Sequence, residues 1–407
     1  MIAIRHYAIV TAAYWAFTLT DGALRLIVLL HFHALGYTPI QLAVLFLLYE
    51  FFGIVTNLLG GWLAARTGLR FTLVAGLALQ AGALTMLAML DASWSMALST
   101  AYVMACQALS GIAKDLTKMS AKSAVKILVP PGDEKRLFKW VAMLTGSKNA
   151  LKGAGFFLGA ALMSWLGFRG ALLAMGAGVA VVLLAVLTSL PASIGRTKAK
   201  ALFTSVLSHS RAINILSIAR LALFAARDVW FVVSVPIFLT GVLGWSFMQV
   251  GAFLALWVIG YGAIQAAAPA GVRALGGGTA GPGLTGALGL ALAFVTAAIP
   301  LALQSGAPQA AVMLGGLAMF GVVFALNSSV HSYLVLAFAD DDRVALSVGF
   351  YYMANAAGRL LGTLLSGVTY QWGGVEAALW TSAALAAAAG VAAFSLPTVP
   401  PRVLTSP

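Results

Sequence analysis

The sequence predicts an all-α integral membrane protein of about twelve transmembrane helices in two six-helix, pseudo-symmetric halves. Three observations carry that prediction. Hydrophobic residues make up 61% of the 407-residue chain and charged residues only 9%, with a mean hydropathy of +0.98, far outside the range of a water-soluble domain. Apolar runs of about 20 residues, enough to cross a bilayer as helix, recur between clusters of Gly, Pro and charge. The first half of the chain also resembles the second at a nearly constant offset, the trace of a parallel internal repeat.

The first span, 6–35, carries Asp21 and Arg25 within a long apolar run. With few charges before it and no small-residue cleavage pattern, it reads as a transmembrane helix and not as a signal peptide. The second, 39–65, holds Glu50 and runs into GWLAARTGLR, and 71–90 follows. Span 95–127 and span 137–166 enclose the most basic stretch, Gln107 to Phe157, with nine of the 24 basic residues and three of the 11 acids. Lys114, Lys118, Lys122 and Lys126 recur every four residues on one side of a polar elbow at 129–134, and Lys148 and Lys152 do so on the other. Each set therefore lies along one helical face. Span 171–190 ends the first half, and 191–211, with Arg196, Lys198, Lys200 and Arg211, is the longest polar connection. The expected units are thus 1–190, a cytoplasmic loop 191–211, and 212–407. In the second half, 213–243 carries Arg220, Arg227 and Asp228; 247–270 precedes a glycine-rich connection at 271–283; then come 283–304, 309–339, 344–372 with Arg359, and 375–396.

Lysine and arginine counts in the short loops set the orientation. The loops on the side of the termini carry Arg5, Arg66, Arg70, Lys135, Arg136, Arg196, Lys198, Lys200, Arg211, Arg273, Arg343 and Arg402, and the other side essentially Arg169 alone. Both termini are expected in the cytoplasm. The repeat is read from Asp21/Asp228, Arg136/Arg343, Lys152/Arg359 and Gly155/Gly362, all 207 apart, and from GYTPIQ/GWSFMQ, 208 apart. Function is then expected between the halves, near the bilayer midplane.

Composition also excludes. A net charge of +13 would suggest nucleic acid in a soluble protein, but here basic residues are topology signals first and cavity residues second. Cys106 is the only cysteine, which rules out a disulfide framework and a multi-thiolate metal site. His31 and His33 near the end of the first span lack further ligands and read as interfacial, so no metal is expected. No Walker loop is present and no cofactor is implied. No nucleophile or acid–base pair has catalytic spacing, which argues against an enzyme.

Charges inside the spans need explaining, because each costs several kcal/mol if it faces lipid. The bases Arg25, Lys114, Lys118, Lys148, Lys152, Arg220, Arg227 and Arg359 outnumber the acids Asp21, Glu50, Asp115 and Asp228 by four. One reading pairs them internally, as Asp21 with Arg25 at i,i+4 or Asp115 with Lys118 at i,i+3, and lets the outer lysines reach the interface. The other makes a cationic cavity for a multiply charged anion, with Lys148, Lys152, Arg359, Arg25, Arg227, Lys118 and Asn149 as substrate-binding residues. Glu50 is a candidate for proton coupling or for pairing with a base, and Asp21, Asp228 and Asp115 are candidate charge partners. Tyr14, Tyr49, Asn57, Gln107, Gln265, Asn327, Ser328, Ser329, His331 and Asn355 are the polar residues expected to line such a cavity.

Two six-span halves, a basic central loop and cytoplasmic termini resemble the major facilitator superfamily. Its loop motif between the second and third spans is matched at Gly61, Arg66, Gly68 and Arg70, though Ala65 stands where the family usually has an acid. That motif implies a conformational-switch role for the loop. More specifically, YWAFTLTDGALR, LLYEFFGIVTNLLGGWLAAR, QALSGIAKDLTKMSAKSAVK, LTGSKNALKGAGFFLG, ARDVWFVVSVP and ALWVIGYG closely resemble the organoarsenical efflux permease family, ArsJ. The resemblance implies a bacterial inner-membrane efflux transporter of 1-arseno-3-phosphoglycerate, an antiporter conferring arsenate resistance. It also implies a functional pairing with glyceraldehyde-3-phosphate dehydrogenase, which forms that ester when it uses arsenate in place of phosphate. The expected partners are that small anion and the lipid bilayer, with the protein acting as a monomer. A facilitator for phosphorylated metabolites or inorganic phosphate is the alternative reading of the same charges.

Overall fold

The computed structural model describes residues 2–128, 134–191, 210–274, 281–338 and 344–398, and among them every regular element is helical. In chain order these are α1 (Ile2–Ala34), α2 (Pro39–Leu45), α3 (Leu47–Thr67), α4 (Leu69–Ala88), α5 (Met96–Leu128) and α6 (Glu134–Ser189). After the central connection come α7 (Arg211–Val229), a π turn (Trp230–Ser234), α8 (Val235–Gly241), α9 (Phe247–Ala274), α10 (Pro282–Gln304), α11 (Gln309–Ala337) and α12 (Val344–Phe394). Ten stretches are long and apolar enough to span a membrane. Two of them, in α6 and α12, are double length and break at glycines with positive φ, Gly167 (67°) and Gly374 (64°). Counting each broken helix twice gives twelve spans. With no water in the hydrocarbon, helices satisfy their backbone groups internally, which is why so apolar a chain folds this way.

The repeat is visible in local geometry as well as in letters. Gly167 and Gly374 lie 207 apart, and a left-handed backbone there lets the chain reverse between spans without a Cβ clash. Gly36 (φ 83°) and Gly244 (φ 66°) close the ends of α1 and α8, and each is followed by the same helix start. At the first, Gln41 N donates to Thr38 Oγ1 while Thr38 N donates to Gln41 Oε1. At the second, Gln249 N donates to Ser246 Oγ while Ser246 N donates to Gln249 Oε1. Both are capping boxes, so GYTPIQ and GWSFMQ are one structural device used twice.

The helices before residue 191 and those after 210 meet away from the termini. Gly251 of α9 faces α6 so closely that a Cβ would stand 3.1 Å from Phe156 O and 2.5 Å from Ala160 Cβ. On the other flank Gly367 of α12 abuts α2, and Ile40 N donates to Gln371 Oε1 at 3.2 Å. Trp165 and Trp372, again 207 apart, stand 76% and 80% exposed two residues before the two glycine breaks. Their amphipathic rings suit the membrane–water interface on that same side.

Candidate functional site

A ladder of buried charge crosses the middle of the bundle. Glu50 of α3 is 1% exposed, and its Oε1 accepts from Arg25 Nη2 of α1 at 2.8 Å and from Arg359 Nη2 of α12 at 2.7 Å. Arg359 Nε in turn stands 3.5 Å from Asp228 Oδ2, and Arg227 Nε donates to Asp228 Oδ1 at 2.7 Å. A buried carboxylate persists only when paired and hydrogen-bonded, and here Glu50 draws one partner from each half of the chain. The ladder is not saturated. Glu50 Oε2, Asp228 Oδ2, Arg25 Nε and Arg359 Nε have no hydrogen-bond partner.

Toward the termini the ladder gives way to a wider cationic space. Lys114 Nζ sits 4.1 Å above the Tyr49 ring, while Tyr49 Oη donates to Asp21 Oδ1. One turn on, Asp115 accepts from Lys118 Nζ at 3.1 Å and from Thr56 Oγ1 at 2.8 Å, and Lys118 also donates to Asn57 Oδ1 at 2.8 Å. Across the space, Arg220 donates to Asn355 Oδ1 at 3.0 Å and to Ser328 Oγ at 3.0 Å, its guanidinium 4.0 Å from the Phe224 ring. Asn149 Nδ2 donates to Gln265 Oε1 at 3.2 Å, tying α6 to α9 along one flank.

These groups enclose one cavity of about 260 Å³. Its wall holds all eight within-span bases, Arg25, Lys114, Lys118, Lys148, Lys152, Arg220, Arg227 and Arg359, and all four acids, Asp21, Glu50, Asp115 and Asp228. Among the described residues the lining therefore has a formal excess of four positive charges. On α1, α3 and α12 its lining runs from the ladder residues Arg25, Glu50 and Arg359 toward the termini side, to Tyr14, Asn57 and Tyr352. The opposite side is where the halves pack closely.

Every residue expected to bind substrate lines this cavity, with Asn149 beside them. Three expectations need correction. Asp21 does not pair with Arg25: the guanidinium turns to Glu50, and Asp21 takes the Tyr49 hydroxyl. The i,i+4 rule looks only along one helix, whereas in a bundle core a partner from another helix comes closer. Lys114 and Lys118 line the cavity and do not lead to the interface. Tyr49, Gln107, Asn327, Ser328, Ser329 and His331 are not in its lining; Asn327 and His331 are fully buried, with their side-chain nitrogens unpartnered. Asp115 does take Lys118 as the i,i+3 spacing suggested. In the loop motif, Gly68 has φ 86° as the cap of α4 and Arg70 Nη2 donates to Leu187 O at 2.8 Å. Gly61, Arg66, Lys122, Lys126, Lys135, Arg136 and Arg273 have only their backbone described, and Arg196, Lys198, Lys200, Arg343 and Arg402 lie outside the described residues.

Sequence reasoning missed the aromatic wall that the second half presents: Phe224, Phe231, Trp257, Tyr261 and Tyr352. In a chain this apolar an aromatic carries no signal of its own. Only the 207 offset, which sets Phe224 against Phe17 of the same cavity, hints at it. No group of three or more His, Cys, Asp or Glu able to hold a metal occurs among the described residues.

Comparison with known proteins bears on the fold. The sequence model of the Major Facilitator Superfamily matches residues 9–302. No curated protein matches. Among solved structures, a POT family transporter in complex with a thioalcohol-conjugated peptide aligns with a TM-score of 0.75 at 14% identity, covering 95% of each chain. A POT family transporter in complex with 5-aminolevulinic acid gives 0.74 at 14% over 95% of each chain, and a D-xylose–proton symporter 0.71 at 14% over 98% of each. At such identity these likenesses establish shared architecture alone.

Proposed function

This chain belongs to the major facilitator superfamily, a family of transporters and not of enzymes, and we propose that its cargo is a small, multiply charged oxyanion ester carried out of the cytoplasm by alternating access. The single observation behind the reading is the charge of the cavity. Eight bases against four acids around about 260 Å³ leave a site that an anion of several charges would neutralise, with Lys as point charges and Arg as forked donors. Internal pairing does not remove the surplus: Glu50 and Asp228 each face two guanidinia, but the lining's four acids still carry four charges against eight on its bases.

The resemblance to organoarsenical efflux permeases names the specific cargo as 1-arseno-3-phosphoglycerate, which bears a phosphate and an arsenate. Trivalent arsenic favours thiolates, and the lone Cys106 suits an oxyanion cargo better. In this reading both termini face the cytoplasm of a bacterium, the units 1–190 and 212–407 rock about the cavity, and the 191–211 loop joins them on the inner side. The protein works as a monomer, its cargo supplied by glyceraldehyde-3-phosphate dehydrogenase. Glu50 and Asp228 act as charge partners of Arg25, Arg227 and Arg359, and Gly61, Arg66, Gly68 and Arg70 serve the conformational switch.

Arsenate resistance and retained arsenic in an arsenate-sensitive bacterium test the proposal, with the chain expressed alone and with the dehydrogenase. Protection that requires the dehydrogenase, with less arsenic retained, is the expected result. No protection in either case, despite protein in the membrane, refutes the arsenical cargo and favours a carrier of phosphorylated metabolites or inorganic phosphate.

A further inference from the structure

The two halves line the cavity with different chemistry. Among the described residues all four lysines of the lining, Lys114, Lys118, Lys148 and Lys152, come from α5 and α6. The bases of the second half are arginines already engaged: Arg220 donates to Asn355 and Ser328, Arg227 to Asp228, and Arg359 to Glu50. What the second half adds is rings, above all Trp257 and Tyr261 of α9 and Phe231 of the π turn, where the first half sets only Tyr14 and Phe17.

The α9 rings are held in place from several sides. Trp257 and Tyr261, one turn apart, stack with planes 4° apart and centroids at 5.8 Å. Trp230 meets the indole edge-on at 5.1 Å, and Trp257 Nε1 donates to Leu317 O at 2.8 Å, so the indole brings the cavity apolar ring surface and no donor. Helix α9 also packs directly on α6. A Cβ on Gly153 would stand 2.7 Å from Ala255 O, and one on Gly262 2.9 Å from Asn149 Cβ. Lys152 and Tyr261 are chain neighbours of those two glycines, and both line the cavity. A charged edge and a ring edge of the cavity are thus carried by helices in contact.

An aromatic face is electron-rich, so it offers an oxyanion nothing, while a carbon body gains buried area and C–H contact there. Size agrees. The cavity's volume of about 260 Å³ is roughly twenty times the ~10–15 Å³ that one water needs, so a five-atom oxyanion would leave most of it unfilled. We infer that Trp257 and Tyr261 are specificity-determining residues, which make the carrier select an oxyanion joined to a carbon body over the free oxyanion. This rests on the anion-carrier reading and narrows it. Free phosphate, arsenate and sulfate share the charge of the cargo and lack the part that the rings hold. The cargo class is a short-chain ester of a phosphate-like acid, with its charged end toward the lysines of α5 and α6 and its carbons against α9.

The test measures binding of inorganic phosphate, glycerol 3-phosphate and 3-phosphoglycerate to the purified full-length protein at about pH 8, where the first two are mainly dianions. Glycerol 3-phosphate should bind about tenfold or more tighter than phosphate, a difference that charge does not supply. Trp257→Ala and Tyr261→Ala should each weaken the ester more than phosphate and shrink that preference about fivefold, while Trp257→Phe should keep most of it. Equal affinity for the two in the unaltered protein, or a preference that neither alanine variant shrinks, overturns selection by the rings and leaves the anion carrier standing. Equal loss of both ligands in the variants marks the rings as packing residues and overturns it too. Where Trp257→Ala does not fold, the ratio in Tyr261→Ala decides in the same way. Binding of none of the three anions by the unaltered protein overturns the anion carrier and the selection together.

Discussion

Replacing Glu50 by glutamine removes the negative charge at the centre of the ladder while keeping the shape and one acceptor oxygen. In the native protein Oε1 takes two charge-assisted hydrogen bonds, at 2.8 and 2.7 Å, from guanidinia that are themselves largely buried. Hydrogen bonds to charged groups contribute about 1.5–3 kcal/mol and neutral ones about 0.5–1.5, so two such downgrades cost about 2–3 kcal/mol. Removing one partner of a buried pair costs about 3–5 kcal/mol when nothing replaces it, which puts alanine above glutamine in effect. Cys106 is the only cysteine and is 1% exposed, so a thiol-reactive fluorophore reports unfolding from a single site. The midpoint should fall by on the order of 3–5 °C in Glu50→Gln and further in Glu50→Ala. Added phosphate should restore part of the loss by taking the vacated arginines. An unchanged or higher midpoint in both variants would refute the reasoning, since it would mean that the two arginines do not depend on Glu50.

Gly159→Ala should destabilise by about 1–3 kcal/mol through overpacking, because the new methyl would stand 2.7 Å from Ala23 Cα; the same thiol assay reads it. Gly167→Ala and Gly374→Ala, at φ 67° and 64°, should each cost about 1–2 kcal/mol, and by similar amounts because the two turns are copies; markedly unequal losses would count against their equivalence. A bound anion should raise the unfolding midpoint of the native protein in a concentration-dependent way, worth about 2.7 kcal/mol at a hundred times its Kd, while an uncharged sugar should not.

The twelve spans were legible because hydropathy and glycine breaks are local signals, and Gly167 and Gly374 fall between the segments expected to separate there. The charged residues of the cavity were legible for a different reason. An ion inside a membrane helix is costly, so Glu50, Lys152 and Arg359 announce themselves by depth alone. Their pairing was not legible. Glu50 joins residues 25 and 309 positions away, a choice made by how helices pack and not by any spacing along one of them. The aromatic wall was hidden for the opposite reason, since Trp257 and Tyr261 look like any other apolar residue in this chain until the cavity is seen beside them. The π turn at Trp230–Ser234 likewise leaves no pattern, depending on Ser366 Oγ, which accepts from the backbone of Val233 and Ser234 across two helices.

Everted membrane vesicles, whose interior corresponds to the outside of the cell, test the central claim most directly. They would be given radiolabelled arsenate together with glyceraldehyde-3-phosphate dehydrogenase, its aldehyde substrate and NAD, and in parallel labelled 3-phosphoglycerate and phosphate. The account predicts that arsenic label accumulates above that in vesicles lacking the protein only when the ester can form, and that Lys152→Gln abolishes the accumulation. Accumulation of none of the three labelled anions, with the folded protein present in the membrane, would contradict it.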